Sequence, residues 1–305
     1  MSINSLEFRT NMSEELDKAI VQGATVGFFE DNLLRAKFVG AKTVLIPEMD
    51  MSGLGDYDRD NGFVQGAIAI TSDPFTLSQD RARTFQLDRE DNDETGIANL
   101  AGQVLGEFVR TKVVPEVDAY CLSKIGGYAA GAGQLVDGDP ATEAYAMFSK
   151  ALAEIRDAIG YDEEIVCFAD GAFLRELQSS PEINRQIVVS DFKKGDVHLS
   201  VRSLDDVKLL PVPSSRMFTA YTFKNGGEGQ EEGGFAPADG ASSIGFLLLP
   251  KRCCSLVKKS ETLRTFSPEQ NIKADAWKFD YRLYYDVFMK NSMKHAIRVF
   301  LRDDA

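Results

Sequence analysis

Ile97, Leu100, Ala101, Val104, Leu105, Phe108, Val109, Val113, Val117, Tyr120, Cys121 and Ile125 recur at spacings of three and four. This is the period of one helical face, and it predicts an amphipathic helix of about 30 residues, ~45 Å long at 1.5 Å rise per residue. Asp91, Asp93 and Glu94 stand at its start, where the helix dipole favours acids, and Gly126 and Gly127 predict its end. Pro115 lies inside it. Proline removes one backbone hydrogen bond and clashes with the preceding turn, so a kink is expected near Thr111.

The segment before this helix has a different pattern. Residues 53–91 alternate and are laced with charge, which predicts a long β-hairpin or extended loop with strands over 63–71 and 81–89. Gly53, Gly55 and Gly62 punctuate its first half. Phe85 and Leu87 share a face with Arg83 and Arg89, while Thr84, Gln86 and Asp88 take the other. Neither face is apolar enough for a core, and an isolated two-stranded ribbon is marginal in water. The ribbon must dock on a partner surface or stay mobile. Upstream, residues 1–40 read as an arm with a short helix capped by Ser13, packed on something else. A short strand over 43–46 is expected to end at Pro47.

After a loose connector over 128–139, a compact α/β region begins. A helix over 141–159 carries Ala144, Met147, Phe148, Ala151, Leu152 and Ile155 on one stripe, and a strand over 164–169 follows. Asp170 is placed to cap the next helix, which holds Phe173 and Leu174 and stops before Pro181. Strands are expected near 197–202, 207–212 and 217–223. The Gly-rich acidic stretch 225–241 predicts a mobile surface loop. Four more strands, over 244–249, 253–258, 278–289 and 296–301, close the chain. In the third, Phe279, Tyr281, Leu283 and Tyr285 share one face, so these late strands should pair with earlier segments.

Composition narrows the function. The 305 residues are 44% hydrophobic and 27% charged, ordinary globular usage, and suffice for one large or two ordinary domains. The net charge of -13 argues against gripping a nucleic-acid backbone, though it does not exclude a container wall facing packed DNA. Residues 1–20 have no apolar core of the kind a signal peptide needs, and no stretch is apolar for long enough to predict a transmembrane helix, so a cytoplasmic chain is expected. Cys121, Cys167, Cys253 and Cys254 show no disulfide or zinc spacing and read as small buried hydrophobes.

Catalytic signatures are missing. Two histidines, His198 and His295, make no cluster, and no nucleophile-elbow, metalloprotease, P-loop or dinucleotide fingerprint occurs. Asp56, Asp58 and Asp60 match three positions of a calcium loop. Asn61 then stands where glycine is required and Ala67 where a carboxylate is required, so the match fails. Arg59, Arg81, Arg83 and Arg89 alternate with Asp56, Asp58, Asp60, Asp80, Asp88, Glu90 and Asp91. Two readings stand: a merely soluble surface, where exposed pairs contribute little, or a charge-complementary interface. The ribbon's inability to bury itself favours the interface.

The order of arm, charged ribbon, long helix, α/β region and returning strands resembles the major capsid proteins of tailed bacteriophages, the Hong Kong 97-type α+β fold. The strings DRDNGFVQGAIAIT (58–71), FTLSQDRARTFQLDREDNDET (75–95) and FVRTKVVPEVDAY (108–120) are similar to phage and prophage capsid proteins. The resemblance implies an N-terminal arm and first strand (1–50) and an extended loop (51–94) lying over a neighbouring subunit. It also implies a peripheral domain with a spine helix (95–139 and 255–305) and an axial domain (140–254). It implies a structural, non-enzymatic protein without cofactor or metal, assembled in the host bacterial cytoplasm into pentamers and hexamers of an icosahedral head. The expected partners are further copies of itself, a portal, separate scaffolding or decoration proteins, and double-stranded DNA held without sequence-specific contacts; no membrane is expected.

Under this reading the inter-subunit contacts fall on Asp58, Arg59, Phe63, Phe75, Arg81, Arg83, Phe85, Asp88 and Arg89. In the founding member of the fold, a lysine of the extended loop is covalently linked to an asparagine of a neighbour. Residues 51–100 here contain no lysine, so a shell held without that bond is expected. An encapsulin-type nanocompartment is the alternative within the fold, and a cytoplasmic enzyme built on 140–220 the alternative outside it.

Overall fold

A computed structural model of the chain describes residues 25–32, 37–39, 42–59, 62–88, 105–180, 188–194 and 197–302. The expected Ser13-capped helix, Arg89 and the expected start of the long helix lie outside these residues.

Pro115 shapes the long helix. Residues 105–108 are α-helical, Val109–Val113 form a π-helical turn, and α1 (Val114–Gly131) continues from it. Pro115 has no N–H for the Thr111 carbonyl and its ring would press on that carbonyl, and a widened turn relieves both. The irregularity therefore centres on Thr111, as expected. The end of the helix does not. Gly126 and Gly127 lie inside α1, and their reason is close packing. A Cβ on Gly127 would stand 2.8 Å from the Thr219 carbonyl oxygen, and one on Gly126 would stand 2.5 Å from Ile244 Cδ1. The chain turns instead at Ala132 and Gly133, the latter at φ +71.

Two further helices are α2 (Pro140–Ile159) and α3 (Gly171–Ser179), the latter capped by Asp170 Oδ1, which accepts from Phe173 N–H at 2.6 Å. The first strands are β1 (Lys37–Val39), β2 (Thr43–Met51), β3 (Ile68–Thr76) and β4 (Gln79–Asp88). Then come β5 (Ile165–Asp170), β6 (Val188–Lys194), β7 (Val197–Leu204), β8 (Val207–Val212), β9 (Tyr221–Phe223) and β10 (Phe235–Pro237). The last are β11 (Ser243–Pro250), β12 (Cys254–Phe266), β13 (Ala276–Met289) and β14 (Arg298–Arg302).

Six strands form one sheet in the order β14-β11-β5-β8-β7-β6, with β5 and β8 parallel. Every residue of β5 is buried because the sheet is covered on both faces. Ile165, Cys167 and Ala169 pack with the predicted α2 stripe and α3, while Val166 and Phe168 pack with α1. A second sheet, β12-β13-β4, lays Phe279, Tyr281, Leu283 and Tyr285 against the same α1 core. Part of the arm completes that core: the 3-10 segment Thr25–Asn32 buries Val26 and Phe29 fully, with Phe29 5.6 Å from Phe168.

Four expectations need correction. The strands of the charged ribbon do not pair with each other. β3 pairs with β2, and β4 pairs with β13, because Phe85 and Leu87 find apolar partners in Phe279 and Trp277. Pro47 does not end its strand: among the described residues β1 pairs with β2 only as far as Leu45, so Pro47 has a described partner strand on one side alone, and a missing N–H is tolerated at such an edge. β14 joins the six-stranded sheet through β11 rather than grouping with β12 and β13. The acidic stretch 225–241 is not a free loop but holds the β9–β10 hairpin turn, whose base is hydrogen-bonded from Lys224 N–H to the Gly234 carbonyl at 2.9 Å. Among the described residues no helix is long and apolar enough to cross a membrane.

Candidate assembly surface

The β2–β3 hairpin is built of two unlike ends. At its root Val44 is fully buried beside Leu77, Val257, Tyr284 and Phe288, and Phe75 packs on Phe288 at 4.9 Å. Val44 and Phe75 face each other across the pair and so share one face of the hairpin. Towards the tip the apolar residues change face: Met51 opposes Ile68, on the same side as Ile70. These three are 62%, 68% and 66% exposed.

Beyond them the turn is organised rather than loose. Ser52 N–H donates to the Ala67 carbonyl at 3.0 Å, and Asp58 and Gly62 exchange both backbone hydrogen bonds at 3.2 and 2.7 Å. Gly62 supplies the positive φ of +81 that this turn needs. Tyr57 and Phe63 meet edge to face at 5.1 Å, and Phe63 is 91% exposed. With Leu54 and Val64, both exposed, this makes a preformed apolar tip that, among the described residues, is not part of the chain's core.

The sequence-predicted residues divide between tip and body. Asp58, Arg59 and Phe63 sit on the exposed tip, and Asp88 is exposed at the end of β4. Phe75 anchors the hairpin root. Phe85 packs edge to face on Phe108 at 4.7 Å, inside the chain's own core. Arg81 is also engaged within the chain. Its Nε donates to Glu116 Oε1 at 2.6 Å and its Nη1 to the Lys224 carbonyl at 2.8 Å, and its guanidinium stacks on Phe223 at 5.8 Å. It thereby ties β4 to α1 and to the β9–β10 hairpin. Arg83 is exposed beside Gly226 and Gly233 of that hairpin. Sequence reasoning missed Met51, Leu54, Tyr57, Val64, Ile68 and Ile70. Their signal in the sequence is the alternation Ile68-Ala69-Ile70 within the ribbon, which shows an apolar strand face but not which residues stay exposed.

Two buried carboxylates were also missed. Asp118 on α1 is fully buried and accepts from Thr25 N–H at 3.2 Å, Val26 N–H at 3.1 Å and Arg216 Nη1 at 3.0 Å. Burial pushes its carboxyl above the usual range, against the pull of those donors. Asp286 on β13 is likewise fully buried, and Lys124 Nζ donates to it at 2.5 Å. Burial also raises the neighbouring Tyr120 phenol. The signal for both was an acid within an apolar run, Val117-Asp118-Ala119-Tyr120 and Tyr284-Tyr285-Asp286-Val287. All four cysteines are buried and none forms a disulfide, and the described residues hold no group of histidines, cysteines and acids that could bind a metal.

By sequence, no family model matches the chain and no curated protein matches it significantly. By structure, it matches the mature capsid of bacteriophage PhiM1 at TM-score 0.54 and 12% identity, over 86% of this chain and 82% of that one. It matches the capsid of cyanophage P-SCSP1u at TM-score 0.56 and 12% identity, over 88% and 86%. The chain has the fold of these phage capsid structures. A virus-like particle from Pyrococcus furiosus shares it too, at TM-score 0.55 and 7% identity, over 96% of this chain and 99% of that one. The mixture of sheets and one long helix expected from the sequence is thus the shared architecture.

Proposed function

We propose that this chain is the structural subunit of an icosahedral shell, a tailed-phage major capsid protein forming pentamers and hexamers around double-stranded DNA. The observation that carries this reading is the fold likeness to phage capsids over more than four-fifths of both chains. The apolar tip of the β2–β3 hairpin supports it, because an exposed apolar surface of this kind in a folded chain needs a covering partner. The partner is a second copy of the chain, and the tip residues Phe63, Asp58 and Arg59 lie on it. In this assignment β2–β3 is the extended loop, α1 the spine helix, β12-β13-β4 the peripheral sheet, and the six-stranded sheet with α2 and α3 the axial domain. Portal, scaffolding and decoration proteins are the remaining partners.

A second reading is a shell enclosing protein cargo. It is favoured by the match to the particle from Pyrococcus furiosus, which spans nearly the whole of both chains. Expression of the chain followed by negative-stain microscopy tests the shell itself: closed particles are expected, and a chain that stays monomeric at every concentration overturns the reading. Nuclease-protected DNA in particles from infected or induced cells supports the phage head; a co-purifying enzyme in place of DNA supports the cargo shell.

A further inference from the structure

Among the described residues the hairpin touches the body near its root, where its apolar face packs and Asn291 Nδ2 donates to Asp73 Oδ2. Residues 68–72 of β3 are exposed throughout, as is the tip, so among the described residues the angle of the arm is set near the root, which includes the point where β3 passes into β4. There the chain makes a two-residue connection, Leu77-Ser78. Leu77 is buried, with its N–H donating to the Lys42 carbonyl at 2.9 Å and its carbonyl accepting from Tyr284 Oη at 3.2 Å.

Ser78 is held more specifically. Its N–H and its Oγ both donate to Asp286 Oδ2 at 3.0 Å, and its Oγ lies 2.8 Å from Tyr120 Oη. Tyr120 Oη in turn donates to Asp286 Oδ1 at 2.8 Å, and Lys124 Nζ donates to the same oxygen. Four groups from three elements therefore meet: the arm root, α1 and β13. The apolar contacts at the root, such as Phe75 on Phe288, are non-directional and tolerate rotation. Hydrogen bonds converging on one carboxylate do not.

We propose that Ser78, Tyr120, Lys124 and Asp286 are positioning residues: they fix the angle at which the hairpin arm leaves the body, and through it the curvature of the shell. The inference rests on the shell reading above. The arm is a lever, with nine paired residues in each strand. At about 3.3 Å per residue it reaches roughly 30 Å, so a 10° turn at the root moves the tip by roughly 5 Å, enough to change which surface it meets.

Ser78→Ala keeps the N–H but removes the hydroxyl that bridges Tyr120 and Asp286. Tyr120→Phe keeps the ring contacts with Phe223 and Tyr285 and removes the other bridge. Two readouts apply to each folded variant. Spin labels at Ser52→Cys and Lys150→Cys report the arm angle in the isolated subunit; the parent should give a narrow distance distribution and the variants one broadened or shifted by several ångströms. Microscopy of assembled particles reports curvature; the variants should give altered or mixed diameters at near-parental melting temperature. Unchanged label distances and unchanged diameters in whichever variant folds overturn the inference. If the parent forms no particles, the shell reading fails, and the label distances alone decide whether this cluster sets the arm.

Discussion

Arg81 tests whether the charged ribbon faces another copy or its own chain. In the structure its guanidinium makes a two-pronged pair with Glu116, at 2.6 and 3.3 Å, and donates to the Lys224 and Gly234 carbonyls. The side chains are only 25% and 15% exposed, so water screens the pair weakly. Arg81→Glu removes these donors and leaves two carboxylates facing each other. Breaking a buried pair so that one charge is left unmatched typically costs about 3–5 kcal/mol, and this partly exposed site should fall near the lower end. Arg83→Glu is the control: Arg83 is exposed, and surface changes of this kind usually stay within about 0.5 kcal/mol. Urea unfolding followed by the fluorescence of the single tryptophan, Trp277 on β13, measures both. Should Arg81→Glu unfold at the parental urea concentration yet fail to assemble, Arg81 faces a neighbour and the intrachain network is not its role.

Three further outcomes are expected. Phe63→Ala should leave unfolding unchanged, because the ring is 91% exposed, but should weaken each tip contact by about 2 kcal/mol, about thirty-fold; light scattering against concentration reads the shifted assembly threshold, and an unshifted threshold removes Phe63 from the interface. Gly127→Ala should destabilise by about 1–3 kcal/mol although alanine is the better helix former, since its Cβ meets the Thr219 carbonyl oxygen. Gly131→Ala, with open space around it, should be neutral or gain a few tenths of a kcal/mol, and equal effects at the two sites would refute the close-packing argument. Asp118 holds its proton more tightly folded than unfolded, so its contribution to stability is present at acid pH and is lost as pH rises through its raised pKa. Asp118→Asn should flatten the pH dependence of unfolding above about pH 4, and an unaltered pH profile would contradict the raised value.

Elements with a strong period were legible in the sequence. The α2 stripe, the Asp170 cap and the inward face of β13 follow from 3.6- and 2-residue spacing and from local hydrogen bonding, and local physics decides them. Strand pairing was not legible, because it depends on which distant segment supplies a matching apolar face. Phe85 and Leu87 looked like too small a cluster for a core when weighed with their own ribbon, and they are sufficient once Phe279 and Trp277 lie opposite. Gly126 and Gly127 misled for the same reason: a glycine needed for tertiary contact and one needed for a left-handed cap read alike until the neighbour is known.

The change of face along the β2–β3 hairpin bears on function more than any charge pattern does. A strand that packs on its own chain along its whole length keeps its apolar residues on one side, because a shift of one residue exposes all of them. Here Val44 and Phe75 use one side at the root, and Met51, Ile68 and Ile70 use the other at the tip. Among the described residues the chain's own body covers the first side and leaves the second exposed. The hairpin thus presents apolar side chains on two faces, one packed on this chain and one exposed, and under the proposed shell reading the exposed one is the face a further copy would cover.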